Sequence, residues 1–96
     1  MIRRKAENIR DVLKSFWDEN PELYHKMLEA RVERLWRELN PVYDRYTTNA
    51  IVKNRILYVS VASSVLRSEM LSNRKGLVRI LNDKAGSSVI DDIMIR

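Results

Sequence analysis

The spacing of apolar residues changes character along this chain, and where it changes limits the folds open to it. Ile9, Val12, Leu13, Phe16 and Trp17 recur at three- and four-residue steps, which predicts an amphipathic first helix. Asn20-Pro21 ends that helix and opens the next, because proline suits the first helical turn. Leu23, Met27, Leu28, Val32, Leu35, Trp36 and Leu39 then make a long second stripe that Asn40-Pro41 stops. From Thr47 the period falls to two. Thr47–Val52 is rich in β-branched residues, and Arg55–Ala62 places Leu57, Val59 and Val61 on one face. Lys53-Asn54 between them reads as a tight turn, so the pair is a hairpin. The helical period returns after Ser63-Ser64, an N-cap, with Leu66, Met70, Leu77, Ile80 and Leu81, and it stops at Gly86. This third helical region runs through Gly76 or breaks there. Val89–Ile95 closes the chain as a strand that is irregular or starts late, since Asp91 falls on its apolar face.

The order α-α-β-β-α-β predicts an α+β fold with helices packed on one face of a three-stranded sheet. Trp17 and Trp36 lie on the apolar stripes of their helices and read as core, as do Leu35, Leu57, Val59, Val61, Leu66, Met70, Leu81 and Ile93. The 96 residues suit one domain spanning 1–96. Without cysteine the chain has neither disulfides nor thiolate metal ligands. The basic start, Met1-Ile2-Arg3-Arg4-Lys5, is followed by polar residues where a secretory signal needs an apolar run, and no stretch is apolar enough to span a membrane. A cytoplasmic protein is expected.

Side chains for catalysis are sparse. His25 is the only histidine and lies on a charged helix, where a solvated role is the simpler reading. Asp91-Asp92 is an adjacent acidic pair in the last strand, and strand neighbours point to opposite faces. Gly76 and Gly86 form no phosphate-binding or dinucleotide motif. The expectation is a binding protein without metal or cofactor.

The charge is informative through its distribution. Of the net +5, nearly all arises in residues 51–75, which carry five basic side chains against Glu69 alone. Clustered positive charge favours a polyanion, although a merely solvated face has the same composition. Arg67 and Arg74 lie seven apart on one helical face, Lys75 and Arg79 continue that flank, and Lys53 and Arg55 crown the hairpin. Tyr58 faces away from Leu57 and Val59, where its ring could stack on a base or simply cover the sheet. These seven residues are the candidate nucleic-acid contacts.

From Trp36 to Arg96 the chain also resembles the DciA family of bacterial proteins. The likeness rests on Trp36 near a helix end, Tyr46-Thr47-Thr48, the strand Leu57-Tyr58-Val59-Ser60-Val61 and the following Ser63-Ser64. It continues through Leu66, Glu69, Leu77, Leu81 and Asn82 to Val89 and Asp92-Ile93-Met94-Ile95-Arg96. The resemblance implies a KH-like fold, DNA binding and a role in assisting or loading the replicative helicase. Asn73-Arg74-Lys75-Gly76 stands where a KH domain carries its GxxG loop, with only the second glycine present. A protein–protein adaptor and an RNA-binding KH-like module of translation or ribosome assembly are the competing readings, with a monomer or weak homodimer expected.

Overall fold

Both prolines act as helix openers. The computed structural model describes residues 4–96, and side chains from residue 9 onward. The basic start at residues 1–3 lies outside the described residues. Pro21 begins α2 (Pro21–Glu38) directly after α1 (Arg4–Glu19), and Pro41 begins a short α3 (Pro41–Tyr46). The third helix was not foreseen, since Asn40-Pro41 reads as a stop. Asn40 is both: its side chain accepts a hydrogen bond from the Tyr43 backbone N–H at 2.9 Å, capping a new helix where the old one ends.

The chain continues through β1 (Thr47–Lys53), β2 (Ile56–Val61), α4 (Ser64–Ser72), α5 (Arg74–Ala85) and β3 (Asp92–Ile95). The sheet order is β1-β2-β3, with β2 antiparallel to β1 and parallel to β3. The hairpin turn falls one residue later than Lys53-Asn54. Asn54 and Arg55 are its central residues, both with positive φ (53° and 65°), as a two-residue turn of right-twisted strands requires. The third helical region is two helices, and the break lies at Asn73 rather than Gly76, which sits inside the first turn of α5. Ser63 caps α4 by accepting from the Leu66 N–H, and Gly86 ends α5 in the left-handed conformation (φ 82°). The last strand starts late, at Asp92. Before it, Asn82 holds the incoming loop. Its side-chain oxygen accepts from the Val89 and Ile90 N–H groups and its amide donates to the Ile90 carbonyl.

One face of the sheet is core. Leu57, Val59, Val61, Val52 and Ile93 pack against Leu28, Val32 and Trp36 of α2, Leu66 and Met70 of α4, and Leu77, Leu81 and Ala85 of α5. Leu35 is only partly buried at its margin. A register shift between Thr47 and Asn49 reverses the alternation of β1. Thr47 is thereby buried, and its hydroxyl accepts from the Trp36 indole N–H at 3.0 Å. That bond satisfies the one polar atom of the largest buried side chain.

The first helix does not join this core. Among the described residues its main contact is with α2, and the molecule measures 58 × 25 × 21 Å. Ile9, Val12, Leu13 and Phe16 remain 43–63% exposed. Trp17, expected in the core, is half-buried between Phe16 and Tyr24, with ring centroids 5.1 and 5.6 Å away. A helix period marks which face is apolar; it does not say that the same chain will cover it.

Candidate nucleic-acid interface

The seven expected contact residues separate into those already occupied and those free to bind. Arg67 is half-buried and donates to the Val61 carbonyl at 2.6 Å, closing the end of β2. Arg55 donates to both carboxylate oxygens of Asp91 at 2.9 Å and to the carbonyl and hydroxyl of Ser88. The Arg55 hydrogen bonds hold the Asp91 carboxyl below the usual carboxylate range, and Asp91 in turn raises Arg55. Arg74 lies 3.2 Å from Asp92 at the start of the edge strand β3. Asp91 and Asp92, read from sequence as an acidic pair without a joint role, each neutralise one expected contact arginine. The attractive unit is therefore smaller than the sequence suggests.

Lys53, Lys75 and Arg79 remain exposed and make no ion pair among the described residues. Lys75 and Arg79 share the start of α5, off its buried face of Leu77, Leu81 and Ala85. The break at Asn73 gives this end of α5 its chemistry. Asn73 provides no side-chain cap, since its amide donates backward to the Glu69 carbonyl, and the first N–H bonded back within the new helix is that of Leu77, to the Asn73 carbonyl. The Arg74, Lys75 and Gly76 N–H groups thus form the positive end of α5, and Gly76 leaves the approach to them open, since beyond its chain neighbours and its own helix backbone nothing lies within 4 Å of where a Cβ would stand. Arg74 also ties this helix end to the hairpin end of the sheet, since Asp92 pairs with Ile56 and Ile56 with Lys53.

The second group lies on the face of the sheet away from the helices. Register places Ile51, Tyr58 and Met94 side by side across the three strands. Ile51 and Met94 are 47% and 46% exposed, and the Arg96 guanidinium carbon stands 5.9 Å from the centroid of the Tyr58 ring. A shallow depression of about 440 Å³ here is lined by Asn49, Ile51, Lys53, Tyr58, Ser60 and Arg96, among others, and by no acidic side chain. Tyr58 was foreseen to face this way. Ile51, Met94 and Arg96 were not singled out, because the row needs the strand register, and only the alternation Asn49-Ile51-Lys53 hinted at it.

His25 pairs with Glu29 at 3.2 Å on the exposed side of α2. No group of three or more His, Asp or Glu that could hold a metal occurs among the described residues. No helix among them is long and apolar enough to cross a membrane.

A family model described as "Dna[CI] antecedent, DciA" matches residues 8–95. The chain belongs to the DciA family. The match extends the likeness seen from Trp36 onward back through α2 and most of α1, so the helix that stands off the core is part of the family pattern. DciA proteins are associated with helicase loading in bacterial replication, and theirs is not a known catalytic family. No curated protein and no solved structure matches the chain.

Proposed function

We propose that this DciA-family chain is a non-catalytic, DNA-binding accessory domain, acting over residues 1–96 in the bacterial cytoplasm to assist or load the replicative helicase. Family membership carries the helicase part. The DNA part is supported by the start of α5, where Lys75 and Arg79 flank backbone N–H groups suited to a phosphate. The order α3-β1-β2-α4-α5-β3, with two helices meeting at Asn73–Gly76, favours a KH-like module that grips nucleic-acid backbone at that junction. Nothing among these groups reads base edges, so binding is weak, salt-dependent and largely independent of sequence.

The test is fluorescence anisotropy with labelled single-stranded DNA, duplex DNA and RNA at low salt. Lys75→Glu with Arg79→Glu is expected to reduce duplex affinity at least tenfold and leave the thermal midpoint in place, since both side chains are exposed. Arg34→Glu is the control, because Arg34 already faces Glu38 at 3.6 Å. A wild-type chain that binds no nucleic acid at low salt overturns the reading, and equal loss in the control misplaces the site. Preference for RNA over DNA would favour the ribosome-associated alternative. Co-elution with the replicative helicase at micromolar concentration tests the other half. The adaptor reading has one observation in its favour, the uncovered stripe Ile9-Val12-Leu13-Phe16 on α1.

A further inference from the structure

We propose that the open face of the sheet is a base-stacking subsite for single-stranded nucleic acid, with the Tyr58 ring as its platform. The inference rests on the DNA-binding reading above but concerns a different surface and a different chemistry. At the start of α5 the available groups are cations and N–H donors, which meet phosphates and treat single and double strands alike. On the sheet the available group is an aromatic ring in an apolar row, and a ring recognises a base only when that base is unpaired and unstacked.

Three observations point to this occupant. The first is the row itself. Ile51, Tyr58 and Met94 lie on adjacent strands in register, and α2, α4 and α5 all pack on the other side, so none of these helices covers them. An apolar row left open on a sheet marks an interaction surface, and its flatness suits a planar group. The second is charge. Lys53 and Arg96 line the depression and no acidic side chain does, so an anionic ligand fits where a basic peptide does not. The nearest acid by register, Asp92, is neutralised by Arg74 at 3.2 Å. The third is the guanidinium of Arg96 over the Tyr58 ring, 5.9 Å from its centroid. The ring face thus already accommodates a planar cation. A base can take that position while Arg96 turns to the adjoining phosphate, an exchange that keeps the ring covered and pairs the cation. Asn49 and Ser60 at the rim can donate and accept hydrogen bonds at a base edge in either orientation.

The experiment compares Tyr58→Ala and Tyr58→Phe in the full chain. Labelled oligodeoxythymidylate, oligouridylate of the same length and a duplex of the same length are titrated by anisotropy at low salt. One stacked base is worth about 1–3 kcal/mol, so Tyr58→Ala should weaken single-strand binding about 5–150-fold, and Tyr58→Phe should restore it. Duplex affinity, held by Lys75 and Arg79, should stay within about twofold of wild type, since stacking does not enter it. Equal effects on the two single-stranded probes assign the subsite to bases of either nucleic acid; loss on one alone assigns it to that one. Tyr58→Ala binding single strands as tightly as wild type overturns the subsite while leaving the α5 reading intact. So does equal loss on single strand and duplex with a lowered thermal midpoint, because the ring would then be supporting the fold. A wild-type chain that binds none of the probes overturns both readings together.

Discussion

Arg55 adopts a backbone conformation, φ 65°, that a side chain with a Cβ rarely takes, in a turn where glycine is the usual choice. Its four side-chain hydrogen bonds to Asp91 and Ser88, and its carbonyl accepting from the Asp91 N–H at 2.7 Å, offset that cost. Arg55 thus latches the hairpin tip to the chain entering β3, which explains why a cation placed at the tip is not free for a phosphate. Asp91 titrates below the usual carboxylate range in the folded chain, so its contribution to stability is complete above that range and is lost as the pH falls through the lowered native value. Asp91→Asn should therefore cost stability near neutral pH and flatten the fall of the thermal midpoint below about pH 4. An acid limb as steep as that of the wild type would show that other carboxylates carry it. Asn82 is a second single-residue clamp, with three hydrogen bonds to Val89 and Ile90 from the end of α5. Asn82→Ala leaves partly buried backbone groups unpaired and should cost about 1–3 kcal/mol. For a domain of this size that is roughly 4–8 °C of thermal midpoint per kcal/mol.

At the scale of elements, α1 and β2 test opposite ideas of an apolar face. Val59 on β2 is 1% exposed, and Val59→Asp should abolish cooperative unfolding, because a buried unpaired charge costs several kcal/mol against a total of roughly 5–10. Val12→Asp with Leu13→Asp on α1 should leave the main thermal transition unmoved, since those side chains are 63% and 50% exposed. A large shift would mean that α1 folds down onto the core in solution. The sequence carried the core strands well, because a period of two with Leu57, Val59 and Val61 has one solution on a half-buried sheet. It carried the caps Ser63 and Gly86 for the same local reason. What escaped it depends on neighbours far along the chain. The α1 stripe resembles that of α2, and only packing reveals that of these two helices it is α2 that reaches the sheet. Asn73 ends α4 through a backward hydrogen bond to Glu69, whereas Gly76 looked the better breaker on propensity alone. Arg67 and Arg74 were expected seven apart on one face of a single helix, but the break at Asn73 puts them on α4 and α5, and their partners, the Val61 carbonyl at the end of β2 and Asp92 beside its start, are visible only once the elements are stacked.

For the whole molecule, charge is spent before it is offered. Arg55, Arg67 and Arg74 are all engaged within the fold, so on the two candidate surfaces the groups left for a polyanion are Lys75 and Arg79 at α5 and Lys53 and Arg96 on the sheet. That division predicts an unusual salt dependence. Per phosphate neutralised, duplex binding ordinarily falls more steeply with salt than single-strand binding, by slopes of about 0.9 against 0.7. A duplex held at α5 alone neutralises ~2 phosphates, so its affinity should fall only about 12-fold between 50 and 200 mM salt. A single strand that also stacks on Tyr58 engages both surfaces and ~4 phosphates, and the same interval should cost it about 50-fold. The single strand is thus the more salt-sensitive ligand, the reverse of what one shared surface would give. Removing Lys53 and Arg96 as charges, with Lys53→Gln and Arg96→Gln, should bring the single-strand slope below the duplex slope and leave the duplex slope unchanged. A duplex slope steeper than the single-strand slope in the wild-type chain would mean that one basic surface serves both ligands, and the two-surface account of this molecule would fall.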